Sequence, residues 1–234
     1  MVILALESSA TSASAAVVKD GKLLSNMFAN VGLTHSVTLL PLIKSTIETA
    51  MLTVDDIDAV AVSNGPGSFT GVRIGVATAK GIAQPSSKKC VPVSTLEAIA
   101  YPFSNNDCIV ASVMDARCQQ VYGAFFDCSN GLDRISNDDA FSFDVLSEKI
   151  RAFDKKVILA GDGADVAYEY LKDKNENVIK AIGSIKYQQA SSVAFIAEKR
   201  LADNENICSP DELVPAYLRL SQAERELKKK EETK

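Results

Sequence analysis

Residues 63–75 read Ser63-Asn64-Gly65-Pro66-Gly67-Ser68-Phe69-Thr70-Gly71-Val72-Arg73-Ile74-Gly75, and this stretch decides the fold of the chain. It follows residues 57–63 (IDAVAVS), which predict a short buried strand, and it leads into a helix predicted from about residue 70 to residue 83. Glycine accepts the left-handed dihedrals of a tight turn, proline fixes its own, and Ser68 or Thr70 can cap the helix. This arrangement leaves backbone N–H groups pointing one way, which suits an anion.

Close packing of the backbone is a second explanation of these glycines, and the residues alone leave both open. The spacing nevertheless excludes two nucleotide motifs. After Gly65 and Gly67 the next glycine is Gly71, too late for a dinucleotide-binding fingerprint. No Gly-Lys-Ser/Thr ending marks a nucleoside-triphosphate P-loop.

The composition is that of a globular protein of one large or two small domains. The chain has 234 residues, of which 47% are hydrophobic and 24% charged. The five cysteines include no C-x-x-C pair and are odd in number, which favours reduced thiols. A net charge of -5 argues against tight, unaided binding of nucleic acid. Without a basic flank before the apolar start or a run long enough to span a membrane, we expect a cytoplasmic protein with no membrane contact.

The order of predicted elements divides the chain into two related lobes. The first lobe, residues 1–103, predicts the order βββαβαβα, with a hairpin turn at Asp20-Gly21 and a helix over residues 35–52. A polar, turn-rich segment at residues 102–107 marks the boundary. The second lobe, residues 104–221, predicts a shorter repetition of the same order, and residues 222–234 form a charged tail.

The helix at residues 70–83 carries a stripe of small residues. Gly71, Gly75, Ala79 and Ala83 recur every four residues, so a neighbouring element can approach closely. Valines and isoleucines occupy other sides of the helix, and a surface helix normally keeps a polar face. Either the helix at residues 35–52 or another subunit is expected to cover it.

Most routes to catalysis lack their residues in this chain. His35 is the sole histidine and has Leu39 one turn later, which excludes a helical zinc pair and disfavours a Ser-His-acid triad. The Glu7-Ser8-Ser9 turn could meet a phosphate or its Mg²⁺, although hydroxyl-rich turns also form for conformational reasons. Gly161-Asp162-Gly163 could form a second anion-binding turn, and helix capping explains it equally well.

Five segments together resemble the TsaB family, also called YeaZ. They are Glu7-Ser8-Ser9, His35-Ser36, the glycine-rich stretch at residues 65–75, Asp115-Ala116-Arg117 and Pro215-Ala216-Tyr217-Leu218-Arg219. The resemblance implies an α/β, two-lobed actin-like ATPase (ribonuclease H-like) fold. Each lobe would be a βββαβα mixed sheet flanked by helices, the second lobe being reduced.

The resemblance also implies a role in threonylcarbamoyl modification of the anticodon-adjacent adenosine of tRNAs that read A-starting codons. In this family a metal-binding paralogue, TsaD, performs the transfer, TsaB activates it, and the ATPase TsaE joins them. We therefore expect a non-catalytic subunit without a metal, which meets tRNA only through the complex and forms a homodimer when alone. The partner-binding residues expected on the two helices of the first lobe are Leu39, Ile43, Ile47, Gly71, Val72, Gly75, Val76 and Ala79.

A vestigial nucleotide site is the second expectation from the resemblance. Glu7 stands where the family more often has aspartate, and the first turn lacks the phosphate-receiving glycine of true ATPases. We therefore expect no cofactor of the chain's own beyond weak ATP or ADP binding within the complex. A stand-alone ATPase or small-molecule kinase stays open as the alternative. A peptidase is not expected, because the chain lacks histidine metal ligands and a catalytic dyad. The residues of the vestigial site are Glu7, Ser8, Ser9, Gly65, Gly67, Ser68, Gly161 and Gly163.

Overall fold

A five-stranded mixed sheet forms the centre of the first lobe in the computed structural model, which describes residues 1–117 and 119–219. Its strand order is β3-β2-β1-β4-β5. The β2–β3 hairpin turns at Asp20 and Gly21, whose φ values of 48° and 76° are the positive pair that a two-residue hairpin needs, so the predicted turn is confirmed. The strands are β1 (Val2–Glu7), β2 (Ala13–Lys19), β3 (Lys22–Ala29), β4 (Ala59–Gly65) and β5 (Lys89–Ser94).

Two helices cover one face of this sheet. They are α1 (His35–Thr49) and α2 (Phe69–Ala83), and both bury their apolar stripe against the even-numbered residues of β1, such as Leu4 and Leu6. The side chain of Ser68 accepts a hydrogen bond from the Gly71 amide, so Ser68 caps α2. The helix α3 (Thr95–Ala100) follows β5.

The second lobe repeats this order of elements. Its sheet runs β11-β10-β6-β7-β8, and β9 also pairs with β7. Strands β6 and β7 are antiparallel, whereas β6, β10 and β11 are parallel, as β1, β4 and β5 are in the first lobe. The elements are β6 (Ile109–Asp115), β7 (Gln120–Asp127), β8 (Asp133–Arg134), β9 (Asp139–Ser142), α4 (Phe143–Arg151), β10 (Val157–Ala160), α5 (Ala164–Leu171), β11 (Val178–Lys180) and α6 (Ala190–Asp203).

The last helix of each half packs where the two sheets meet. Helix α6 covers the first sheet on the face opposite α1 and α2, where Val193 and Ala197 pack with Ile3 and Ala5. Helix α3, which follows the first sheet in the chain, instead packs its Leu96 with the second sheet. Helix α6, from the second half of the chain, therefore completes the core of the first lobe. The proposed boundary between residues 103 and 104 lies between the strands of the first sheet and those of the second.

The segment at residues 208–219, called the strap here, returns to the first lobe after α6. Its Cys208 forms an isolated antiparallel bridge with Cys90 of β5, and its Leu213 is buried in the core beneath α1 and α2. The Lys80 ammonium donates to the carbonyl oxygens of Asp211 and Leu213, each at 3.3 Å. The charged tail predicted at residues 222–234 lies outside the described residues.

The predicted fold class is confirmed: two mixed α/β sheets flanked by helices build two lobes. Most predicted elements are found within a few residues of their expected ends. The short strands β8, β9 and β11 were not predicted, because each has at most four residues and no alternating apolar pattern. Within the described parts of the chain, the helices are too short or too polar to cross a lipid bilayer.

Candidate functional site

The glycine turn, residues 65–68, packs directly on the acid turn, residues 7–12. The backbone amide of Ser68 donates to the carbonyl oxygen of Ser9 at 2.6 Å. A Cβ atom added to Gly67 would lie 2.3 Å from that same oxygen, closer than any side chain tolerates. Here glycine permits the close approach of two backbones, which was the second of the two explanations offered by the sequence.

The small-residue stripe of α2 faces the acid turn as well. A Cβ atom on Gly71 would lie 2.1 Å from the carbonyl oxygen of Ser8, and one on Gly75 would lie 2.6 Å from the Ser8 hydroxyl oxygen. That hydroxyl donates to the carbonyl oxygen of Gly71 at 2.9 Å. The N-terminal half of the stripe is therefore covered by the chain's own acid turn, with His35 of α1 beside it; its Nε2 lies 2.5 Å from the Ala10 carbonyl oxygen.

Glu7 ends β1 as a completely buried carboxyl group. Its Oε1 accepts hydrogen bonds from the amide and the hydroxyl of Ser9, at 2.6 and 2.5 Å. Its Oε2 is also shielded from solvent and has no hydrogen-bond partner among residues 1–117 and 119–219. Burial raises the pKa of Glu7, and the hydrogen bonds from Ser9 counter only part of that effect. The group is held by protein rather than presented to an open cleft.

The strap closes the other side of the glycine turn. A Cβ atom on Gly65, whose φ is +129°, would lie 2.2 Å from the carbonyl oxygen of Ala216. The Ala216 amide donates to the Asn64 carbonyl oxygen at 2.7 Å, and the Asn64 side-chain amide donates to the Val214 carbonyl oxygen at 3.1 Å. Gly65 is therefore required for the strap to dock.

An aromatic stack fixes the end of the strap. The rings of Tyr217 and Phe69 are stacked with centroids 4.6 Å apart, and the Arg73 guanidinium carbon lies 3.7 Å from the Phe69 ring centroid. Arg73 Nε donates to the Tyr217 hydroxyl at 2.7 Å. Phe69 and Arg73 of α2 thus hold Tyr217 of the strap beside the glycine turn.

The second-lobe turn, residues 161–163, makes similar close backbone contacts within its own lobe. The Gly161 amide donates to the Lys186 carbonyl oxygen at 2.7 Å, and the Gly163 amide donates to the Val113 carbonyl oxygen at 3.2 Å. A Cβ atom on Gly161 would lie 2.1 Å from that same Val113 oxygen. These amides bind protein oxygens, so neither is free for a phosphate.

Asp162 is the charged residue at the centre of this turn. Its Oδ1 is shielded from solvent and finds no hydrogen-bond partner in the described chain. Burial raises the pKa of Asp162 to about 6. Hydrogen bonding to the backbone at Asp115 lowers the pKa, whereas the negative charges of Asp115 and Glu7 raise it further. No group of three or more potential metal ligands occurs among the residues that the structure describes.

The eight residues predicted to bind a partner lie on the inner faces of α1 and α2. Each is buried in the chain alone, and the six non-glycine residues are between 0% (Ala79) and 6% (Ile47) exposed, because this face packs on the sheet. These side chains are part of the core of the first lobe, so a partner could contact them only if that core opened. The buried set is Leu39, Ile43, Ile47, Gly71, Val72, Gly75, Val76 and Ala79.

The outer face of α1 carries apolar side chains that were not among the predicted partner-binding residues. Val37 is 61% exposed and Leu40 is 59% exposed, and Val31 and Leu33 are similarly exposed in the loop before the helix. We call these four residues the apolar patch. Their signal was present in the sequence as large apolar residues outside the inward-facing stripe.

The TsaD family model, tRNA N6-adenosine threonylcarbamoyltransferase, matches residues 29–227. The tRNA threonylcarbamoyladenosine biosynthesis protein TsaB of Bacillus subtilis (strain 168) is 29% identical over 231 residues, 96% of each chain. The protein of the same name from Buchnera aphidicola is 30% identical over 185 residues, 76% of this chain and 84% of that protein. A solved Pseudomonas aeruginosa protein described as similar to the peptidase YeaZ superimposes with a TM-score of 0.79, at 23% identity, over 93% of this chain and 99% of its own.

Proposed function

The chain belongs to the TsaD family and, within it, to the TsaB proteins of tRNA threonylcarbamoyladenosine biosynthesis, and from this premise we propose that it is a docking subunit without a catalytic centre. It would bind a TsaD-like catalytic paralogue through the outer faces of α1 and α2. The apolar patch is the observation that carries the proposal, because a group of exposed apolar side chains, here on α1 and the loop before it, is typical of protein interfaces.

The second docking helix supports this surface through small residues. Helices α1 and α2 are neighbours on the sheet, and Ala77 and Gly81 are exposed on α2. A Cβ atom on Gly81 would meet nothing within 4 Å, so the backbone of a partner could approach this helix closely. On α1, the exposed charges of Lys44 and Glu48 border the apolar residues and would form the polar rim of the interface.

The packing of the glycine turn supports the absence of a catalytic centre. The acid turn, the strap and α2 contact each other where a phosphate would have to bind, and the amide of Ser68 is used by Ser9. We extend the proposal to a TsaE-like ATPase that joins the pair, to tRNA that is met only through the complex, and to a homodimer when the partner is missing. In that homodimer the apolar patch would bury itself against a second copy.

A charge placed in the apolar patch tests the proposed interface. Val37→Glu puts a carboxylate where the partner would remove water, and we expect co-elution with the TsaD-like protein of the same genome to be lost in size-exclusion chromatography. Val166→Glu is the matched control, because Val166 is an exposed valine on helix α5, at 54% against 61% for Val37. Co-elution of the Val37→Glu protein at the wild-type level would contradict the proposal.

The alternative, a stand-alone ATPase or small-molecule kinase, would use Glu7, the glycine turn and the second-lobe turn around a nucleotide. No heat of binding is expected when millimolar ATP with Mg²⁺ is titrated into the isolated chain. Measurable binding together with release of phosphate would favour the alternative over the docking subunit.

A further inference from the structure

Two cysteines face one another where the strap meets the first sheet. The Cys90 amide donates to the Cys208 carbonyl oxygen at 2.9 Å, and the Cys208 amide donates to the Cys90 carbonyl oxygen at 2.9 Å. This exchange of both hydrogen bonds makes them a directly opposed antiparallel pair, whose side chains point to the same side. Both side chains contact the core beneath α1 and α2.

The geometry of such a pair fits a disulfide. Hydrogen-bonded antiparallel partners have Cα atoms about 5.5 Å apart, inside the range of about 4.4–6.8 Å that disulfides span. The Cys208 sulfur lies 3.6 Å from the Cys90 carbonyl oxygen, so the thiol is turned toward the opposite residue. The strap therefore holds the two thiols on directly opposed residues of one antiparallel pair.

We infer that Cys90 and Cys208 are a modification site, at which a small disulfide of the glutathione class oxidises the pair to a reversible Cys90–Cys208 disulfide. In the first step the Cys208 thiolate attacks one sulfur of the small disulfide and releases one small thiol. In the second step the Cys90 thiolate attacks the Cys208 sulfur of the mixed disulfide and releases the second small thiol. The protein loses two electrons and two protons, and the small disulfide gains them.

Accessibility sets the order of these two attacks. Cys208 is half-buried, whereas Cys90 has no exposed surface, so only Cys208 can meet a reagent in the folded protein. Burial raises the pKa of Cys90 to about 11, with the neighbouring Cys208 adding to the shift, and burial also raises the pKa of Cys208. Oxidation is therefore slow at neutral pH and becomes faster as the pH rises, because the thiolate is the attacking form.

The chain holds a second pair for comparison. Cys108 lies just before β6 and Cys128 just after β7, so the two residues are neighbours at the end of this antiparallel pair. The Cys128 amide donates to the Cys108 carbonyl oxygen at 3.1 Å. Both are buried, and burial raises the pKa of Cys128 to about 12. In both pairs the two cysteines are neighbours, but only the Cys90–Cys208 pair contains a sulfur that solvent can reach, that of Cys208.

A Cys90–Cys208 bond would fix the start of the strap to β5. The strap brings Leu213 into the core and Ala216 onto Gly65, so its release would uncover the glycine turn. The disulfide would hold the covered form by a covalent link that reduction removes.

The test equilibrates the full chain with mixtures of oxidised and reduced glutathione, blocks free thiols with N-ethylmaleimide and maps the peptides by mass spectrometry. Cys118, which lies outside the described residues, is replaced by serine throughout. We expect most molecules to carry a Cys90–Cys208 link at the oxidising end, and Cys108 and Cys128 to react only after unfolding. Cys90→Ser should accumulate one glutathione on Cys208, and Cys208→Ser should take up none.

Amide hydrogen exchange in the strap supplies the second readout. In the oxidised protein we expect exchange of the Ala216 amide to slow about tenfold and to recover on reduction. Failure of the Cys90–Cys208 link to form, or formation of a Cys108–Cys128 link first, would overturn the inference. Unchanged exchange in the linked protein would overturn the claim that the bond holds the strap.

Discussion

The carbonyl oxygen of Ser9 accepts a hydrogen bond from the backbone amide of Ser68 at 2.6 Å, and this bond joins the acid turn to the glycine turn, for which the sequence had suggested anion binding. The amide that could have received an anion is thereby used inside the protein. Gly67 allows the approach, since any side chain there would overlap Ser9. The glycine turn is in this chain a packing device that connects β1, α2 and the strap.

The two glycines of α2 at opposite ends of the helix should respond in opposite directions to the same substitution. Gly71→Ala places a methyl group 2.1 Å from the Ser8 carbonyl oxygen, and we expect the free energy of unfolding to fall by at least about 2 kcal/mol. Gly81→Ala meets open space and should raise it by about 0.5–1 kcal/mol, because alanine favours the helix. Urea denaturation measures both; a similar change in the two variants would contradict the packing described for the acid turn.

Two neighbouring strap residues test whether the strap belongs to the core of the first lobe. Leu213 is 1% exposed, and Leu213→Ala should lower the free energy of unfolding by about 3 kcal/mol. Val214 is 61% exposed, and Val214→Ala should change it by less than about 0.5 kcal/mol. Thermal and urea unfolding of the two variants provide the comparison, and a Leu213→Ala protein as stable as wild type would show that the strap is not part of the core.

Asp162 should make the stability of the protein depend on pH. Its pKa is raised from 3.8 to about 6 in the folded state, so the folded protein holds this proton more tightly than the unfolded chain does. The resulting stability is present below pH 4 and is lost as the pH rises through 6, by up to about 3 kcal/mol. Asp162→Asn removes the titration, so relative to this variant the wild type should gain up to that amount between pH 7 and pH 4.

Urea unfolding of both proteins at several pH values measures this difference. Glu7, whose pKa is also raised, is present in both proteins, so its direct contribution largely cancels. A constant difference between wild type and Asp162→Asn from pH 4 to pH 7 would contradict the burial of the Asp162 carboxyl group.

Local signals in the sequence were enough to predict the elements of the first lobe. The Asp20-Gly21 turn and the Ser68 cap each depend on residues within a few positions, and both are confirmed. Contacts between distant parts of the chain have no such signal. The Ala216 carbonyl oxygen against Gly65 and the packing of α6 on the first sheet join residues more than a hundred positions apart, and neither was predicted.

Helices α1 and α2 show that a helical pattern alone does not say which surface a stripe of side chains contacts. The apolar stripes of α1, with Leu39, and of α2, with Val76, are the buried faces of the two helices. Both stripes pack on the chain's own sheet. The exposed residues Val37 and Leu40 lie outside that buried face, and neither was among the predicted partner-binding residues. Only the arrangement of sheet and helices separates the inner from the outer face.

Reconstituted threonylcarbamoyl transfer to tRNA tests the central claim most directly. The TsaD-like paralogue and a TsaE-like ATPase are assayed with the wild-type chain, without it, and with Val37→Glu, with Val166→Glu as the control. We expect that the wild type and Val166→Glu support transfer, that Val37→Glu does so only at much higher concentration, and that the chain alone modifies no tRNA. Transfer by the chain alone, or equal support from Val37→Glu at limiting concentration, would contradict it.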